Sequence, residues 1–196
     1  MKKLNNVLLV FVLLVSSVVY SAEVQRVTTI ENPVKVIQST IVKLNQLTTA
    51  TIYSPQMMGF LVEQEITPLF DFEHIATEVL SISRINLGEE ETEFFANRIK
   101  KNVINTLISK LARSHTGSFY FVSARPTIQN NIIVRLSAKG YSRFALNLDL
   151  FFHQSKSGKW QIFDVALGHD SLVNYYQRVV RSKVRRYGVY GMLGRI

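Results

Sequence analysis

Four histidines, one isolated carboxylate and a basic tail are the features of this 196-residue chain whose types carry chemistry. His74, His115, His153 and His169 show no His-x-His or His-x-x-x-His spacing, and there is no cysteine. A metal site needs several ligands converging on one point, so the sequence points to no metal and to no cofactor. Thiolate chemistry and a disulfide scaffold are excluded. His169, Asp170 and Ser171 spell a catalytic triad, but consecutive residues do not reach one another in the geometry a triad needs. Neither a Gly-x-Ser-x-Gly elbow nor a Gly-rich phosphate loop is present. Asp170 or Ser171 reads instead as the cap of the last helix. Asp164, within Ile162-Phe163-Asp164-Val165, is the best candidate for a perturbed carboxylate. Its simpler reading is a hydrogen-bond anchor at a sheet edge. Catalysis has little support.

Charge is the second chemical signal. The chain has 23 Lys+Arg against 14 Asp+Glu, a net +9, which favours an anionic partner: nucleic acid, a membrane surface or an acidic ligand. From Arg178 onward there are six basic residues and no acidic one. Arg178, Arg181 and Arg185 run along the flank of the last helix, expected over about 170–187, with Lys183 and Arg186 nearby. The strip reads either as a solvated helix face or as a docking surface for an anionic membrane or an acidic protein.

The first residues narrow that choice. Lys2 and Lys3 precede the unbroken apolar run Val7 to Val15, which Val18, Val19 and Tyr20 extend toward the small residues Ser21 and Ala22. This is the layout of a secretory signal peptide over residues 1–21, cleaved after Ser21 or Ala22. Val7 to Tyr20 is 14 residues, short of the ~20 that a spanning helix needs. Removing Lys2 and Lys3 leaves a mature charge near +7, and an exported protein rarely meets DNA. Nucleic acid is therefore not the expected partner.

The rest, 22–196, reads as one domain in which helices precede strands. Asn32-Pro33 starts a helix with Val34, Ile37, Ile41 and Leu44 at helical spacing. Ser54-Pro55 starts another, with Leu61, Val62 and Ile66, which Pro68 ends or kinks. Asp71 caps a third, carrying Phe72, Ile75, Ala76, Val79 and Leu80. A long fourth runs from about Gly88 to Arg113, with Glu89, Glu90, Glu91 and Glu93 at its positive end. Phe95, Ile99, Val103 and Leu107 mark its apolar stripe. After Gly117 the period becomes two, giving strands over 119–124, 132–138, 143–153 and 159–167. Phe144, Leu146, Leu148, Leu150 and Phe152 share one face of the third strand, and Arg143, Asn147, Asp149 and His153 the other. The expected fold is α+β: N-terminal helices on one face of a four-stranded antiparallel sheet, closed by a C-terminal helix whose inward face holds Val173, Tyr176, Val180, Val184 and Tyr187.

Lys159-Trp160-Gln161-Ile162-Phe163-Asp164-Val165, then Gly168, then Ser171-Leu172-Val173-Asn174-Tyr175-Tyr176, resembles the C-terminal signature of the MlaC-type periplasmic phospholipid-binding proteins, the toluene-tolerance family. Asn32-Pro33, the segment Pro68-Leu69-Phe70-Asp71-Phe72-Glu73-His74-Ile75-Ala76 with Val79-Leu80, and Phe95 follow the same family in order. Three places depart from it. Gly168-His169-Asp170-Ser171 is one residue longer than the usual Gly-Val-Ser, Ser81 replaces a glycine, and Ser83 stands where an aromatic is usual. The resemblance implies a cystatin/NTF2-like sheet. It also implies a soluble periplasmic carrier that moves phospholipid between an outer-membrane lipoprotein complex and an inner-membrane ABC transporter, touching those complexes only transiently.

A two-tailed lipid presents on the order of 30 methylenes, each worth ~0.8 kcal/mol when removed from water. A carrier must therefore offer a dry cavity. Its expected walls are Phe144, Leu146, Leu148, Leu150, Trp160 and Ile162 of the strands, facing Val62, Ile75, Val79, Val103 and Leu107 of the helices. Direct packing of these residues on one another is the alternative. Two other functions remain open from the residues: an enzyme on this sheet using Asp164 or a histidine, and a basic adaptor binding an anionic surface through residues 178–196.

Overall fold

The computed structural model describes residues 31–49, 55–111, 117–140 and 145–196. The expected signal peptide over residues 1–21, Ser54, Arg113, His115, Arg143 and Phe144 lie outside them. Helix α1 spans Pro33–Thr49, and its start follows from Asn32, whose Oδ1 accepts the Val34 backbone N–H at 2.9 Å. The buried face of α1 is Val36, Ile37, Thr40 and Leu47, while Val34, expected on it, is 59% exposed. Val34 sits in the first turn, ahead of the point where the helix meets the sheet.

Helix α2, Pro55–Leu61, runs into a π turn over Val62–Ile66 and a 3-10 turn over Thr67–Leu69. Pro68 has no N–H to continue an α-helix, and the Thr67 N–H reaches back to the Val62 carbonyl. Helix α3, Phe72–Ile82, is capped by Asp71, whose Oδ1 accepts the His74 N–H at 2.9 Å. Helix α4, Glu89–Leu111, opens with the Gly88 N–H donating to Glu91 at 2.8 Å and three glutamates in its first turn.

Strands β1 (Ser118–Pro126), β2 (Ile132–Lys139), β3 (Leu146–Gln154) and β4 (Trp160–Leu167) form an antiparallel meander. The β3–β4 turn places Gly158 at φ 81°, and its N–H donates to the Ser155 carbonyl at 2.9 Å. A fifth strand, β5 (Asp170–Ser171), adds two residues to the β4 edge, so among the described residues the sheet has five strands where four were expected. The pairing jumps from Phe151↔Asp164 to Phe152↔Ile162, leaving Phe163 as a bulge. Ser171 caps the last helix, α5 (Leu172–Leu193), by accepting the Asn174 N–H at 3.1 Å. This helix outruns its expected end near 187 because Gly188, at φ 71° and ψ 176°, kinks the chain without stopping it. Val173, Tyr176 and Val180 face the core as expected, with Val184 packed beside them, but Tyr187 is exposed. Its ring instead lies 4.3 Å from the Arg195 guanidinium.

Among the described residues two apolar clusters result. One fills the space among α2, α3, α4 and α5 around Phe95, Ile99, Ile75, Val79 and Val180. The other lies between α1 and the sheet, where Val36 and Ile37 meet Val134, Leu136, Leu150, Phe152 and Ile162. Leu44, Leu69 and Phe70 touch both. Each large side chain so buried contributes ~1.5–3 kcal/mol. Among the described residues no helix is long and apolar enough to cross a membrane.

Candidate functional site

The expected wall residues divide between the two clusters. Val62, Ile75 and Val79 have no surface accessible to water, and Val103 and Leu107 lie half-buried beside them on α4. Leu150 and Ile162 are buried, and Leu148 and Trp160 half-buried, against Val36 and Ile37 of α1. Leu146 is half-buried opposite Ala138, and Phe144 lies outside the described residues. Helix α1 is thus the layer that covers the strand face, and the helical set meets α5 rather than the sheet. Each set packs within its own cluster in this conformation, so space for a ligand between them requires the layers to part. Two polar groups are sealed within the walls without a hydrogen-bond partner among the described residues: the Thr40 hydroxyl on the inward side of α1 and the Trp160 indole N–H.

Asp164 is a buried anchor. Its Oδ1 accepts the N–H of Val165 at 2.8 Å and of Val173 at 3.0 Å, tying β4 to the start of α5. Burial pushes its pKa up, against the pull of those donors and of the Ser171 hydroxyl. A carboxylate so occupied holds structure in place and has little free valence for a substrate proton.

The titratable group that sequence reasoning missed is formed by Asp71, His74 and His153. The Phe70–Ile162 bridge, with the Asp71 N–H donating to the Ile162 carbonyl at 3.0 Å, brings them together on the sheet face opposite Ile162. Asp71 Oδ2 lies 3.0 Å from His153 Nε2 while its other oxygen caps α3. The His74 ring stacks on His153 at 4.0 Å, and Phe163 meets both rings edge-on at 5.3 and 5.4 Å. Glu78 stands 3.7 Å from His74. The His153 ring beside Asp71 holds that carboxyl below the usual carboxylate range, helped by the His74 backbone N–H. Burial and the neighbouring His153 push the His74 pKa down. The one sequence hint was Asp71–His74 at capping distance. Among the described residues no group of three or more His, Asp and Glu side chains is arranged to hold a metal ion.

The basic strip is partly self-neutralised. Arg178 pairs with Asp170 at 3.0 Å across the first turns of α5, whereas Arg181 and Arg185 are exposed.

A sequence model described as "MlaC protein" matches residues 34–196. The chain belongs to the MlaC family. This MlaC-family chain also shares its fold with a solved structure, the phospholipid-binding protein from Ralstonia solanacearum in complex with a phospholipid. That likeness has a TM-score of 0.65 at 18% identity and covers 83% of this chain and 90% of that one. None of the curated proteins matches the chain in sequence.

Proposed function

We propose that this MlaC-family chain is a periplasmic carrier. It is exported by the signal over residues 1–21, binds phospholipid by its acyl chains, and shuttles it between an outer-membrane lipoprotein complex and an inner-membrane ABC transporter. The family match over residues 34–196 carries the reading, and the fold it shares with a phospholipid-binding protein solved in complex with a phospholipid supports it. The tails lie where the two apolar clusters meet. Val62, Ile75, Val79, Val103 and Leu107 form one wall and Leu146, Leu148, Leu150, Trp160 and Ile162, with Phe144, the other. Leu44, Leu69 and Phe70 already touch both clusters, so displacing them joins the walls.

The chemistry is non-covalent. Tails are as content in a bilayer as in a protein, so directionality comes from docking, which opens the helical layer at the receiving complex. The exposed Arg181 and Arg185 speed encounter with an anionic surface. The two backbone donors held by Asp164 Oδ1 give that carboxylate a structural task, which favours a carrier over an enzyme using it. The test is transfer of fluorescent phospholipid between donor and acceptor vesicles. The purified mature chain accelerates transfer in proportion to its concentration, and a rate equal to the protein-free control counts against the proposal.

A further inference from the structure

A depression of about 340 Å³ lies between the π turn and α4, lined by Glu63, Asn97, Lys100, Lys101, Ile104 and Asn105. Two lysines and two amides against one carboxylate give it a net positive charge, and the carboxylate is occupied. Glu63 accepts from Lys100 at 2.7 Å and from the Thr67 hydroxyl at 3.1 Å. Lys101 is exposed and supplies the excess charge. The floor leads directly into the helical cluster. Ile104 is 7% exposed and belongs to that cluster, as do Val62 and Ile66 of the π turn behind Glu63.

The two helices run antiparallel along this seam. Ile108 Cδ1 stands 3.9 Å from where a side chain at Gly59 would begin, and Glu63 meets Lys100 further along. Phe60 and Phe94, 60% and 49% exposed, each precede a lining residue by three positions, about one helical turn. They therefore lie toward opposite ends of the depression. Polar cations set between exposed aromatic rings, above a sealed apolar interior, match the order of a phospholipid from headgroup to tail.

We infer that this depression binds the phosphate of an anionic phospholipid headgroup while the tails enter the helical cluster between α2 and α4. The inference rests on the carrier reading and gives it a portal. Lys101, with the amides of Asn97 and Asn105, receives the phosphate. Lys100 is then shared between the phosphate and Glu63, which weakens the ion pair that holds the π turn on α4. A second ion pair, Lys43–Glu65 at 3.0 Å, keeps the same turn on α1. Headgroup arrival thus loosens the seam its own tails must pass. An ethanolamine headgroup brings an ammonium against the two lysines, so net-anionic lipid is preferred.

The experiment incubates the mature chain with vesicles of equal phosphatidylglycerol and phosphatidylethanolamine and identifies the lipid bound after re-isolation. Wild-type protein enriches phosphatidylglycerol. Lys101→Glu lowers that enrichment at least about tenfold, the size of one charge-assisted contact, and slows total uptake because the headgroup no longer loosens the seam. Lys101→Ala falls between, and circular dichroism verifies folding. Uptake with an unchanged headgroup ratio in Lys101→Glu overturns the inference and leaves the carrier reading standing. Absence of uptake by wild-type protein defeats the carrier reading. Inorganic phosphate then decides the site by NMR: shifts at the Asn97 and Asn105 amides that vanish in Lys101→Glu retain it as a free-phosphate site, and unmoved signals overturn it.

Discussion

The imidazoles of His74 on α3 and His153 on β3 stack with centroids 4.0 Å apart and planes 19° from parallel. Asp71 bonds the second ring and caps the helix that carries the first. One cluster therefore fastens α3 to the sheet, and its strength depends on protonation.

The sign follows from the shifts. His74 is held below its ordinary value by burial and by His153, so the unfolded chain takes up its proton first as pH falls. Its stabilising share is complete above about pH 6.5 and is lost as pH drops toward the folded value. Asp71, also held low, adds a second loss below about pH 4. Urea midpoints therefore decline from pH 7 to 5 in the wild type, and His74→Phe, which keeps the ring contacts, flattens that slope. Equal slopes in both proteins would exclude His74 as the cause.

Asp164 is predicted to act through its acceptor oxygen, with its charge secondary. Asp164→Ala strands the Val165 and Val173 N–H groups and costs about 2–4 kcal/mol in denaturant unfolding. Asp164→Asn keeps an acceptor and relieves a buried charge, so its stability stays within about 1 kcal/mol of wild type. A catalytic Asp164 would instead make the Asn variant inactive at unchanged stability.

The sealed Thr40 hydroxyl has no hydrogen-bond partner among the described residues. Replacing it by the isosteric methyl of Thr40→Val stabilises the lipid-free chain by about 1 kcal/mol, the penalty of an unpaired buried hydroxyl. Thermal unfolding of delipidated protein measures this, and a lower melting temperature would show that the hydroxyl is satisfied.

Arg181→Gln with Arg185→Gln separates docking from cargo. Capture on anionic vesicles falls and loses its salt dependence, while lipid carried by the protein is unchanged. Leu148→Asn does the reverse: it lowers lipid content and leaves vesicle capture intact, provided circular dichroism shows the fold retained.

Helix starts were legible in the sequence because caps are local: Asn32, Asp71 and Ser171 each accept an N–H two or three residues on. Helix ends were less so, since Gly188 looks like a stop and is a kink. Strand β5 is two residues long, below any detectable period. The apolar pattern of β3 disclosed which face turns inward, but not that α1 is its cover, because the covering layer is a tertiary choice. The histidine cluster depends on the Phe70–Ile162 bridge that ties Asp71 to β4, a pairing between distant segments. The depression at Lys100 and Lys101 depends on the π turn pressed against α4. Neither is written in local periodicity. The MlaC resemblance carried the functional reading because its motifs recur in order along the chain, and the family match over 34–196 agrees.

The central claim is that the apolar layers of this chain hold phospholipid tails. It is tested most directly by exporting the chain in a cell that processes its signal, purifying it without detergent, and extracting it with organic solvent for mass spectrometry. The account predicts diacyl phospholipid at about one molecule per chain, enriched over a periplasmic control protein. Solvent extracts free of phospholipid, from folded protein, would contradict it.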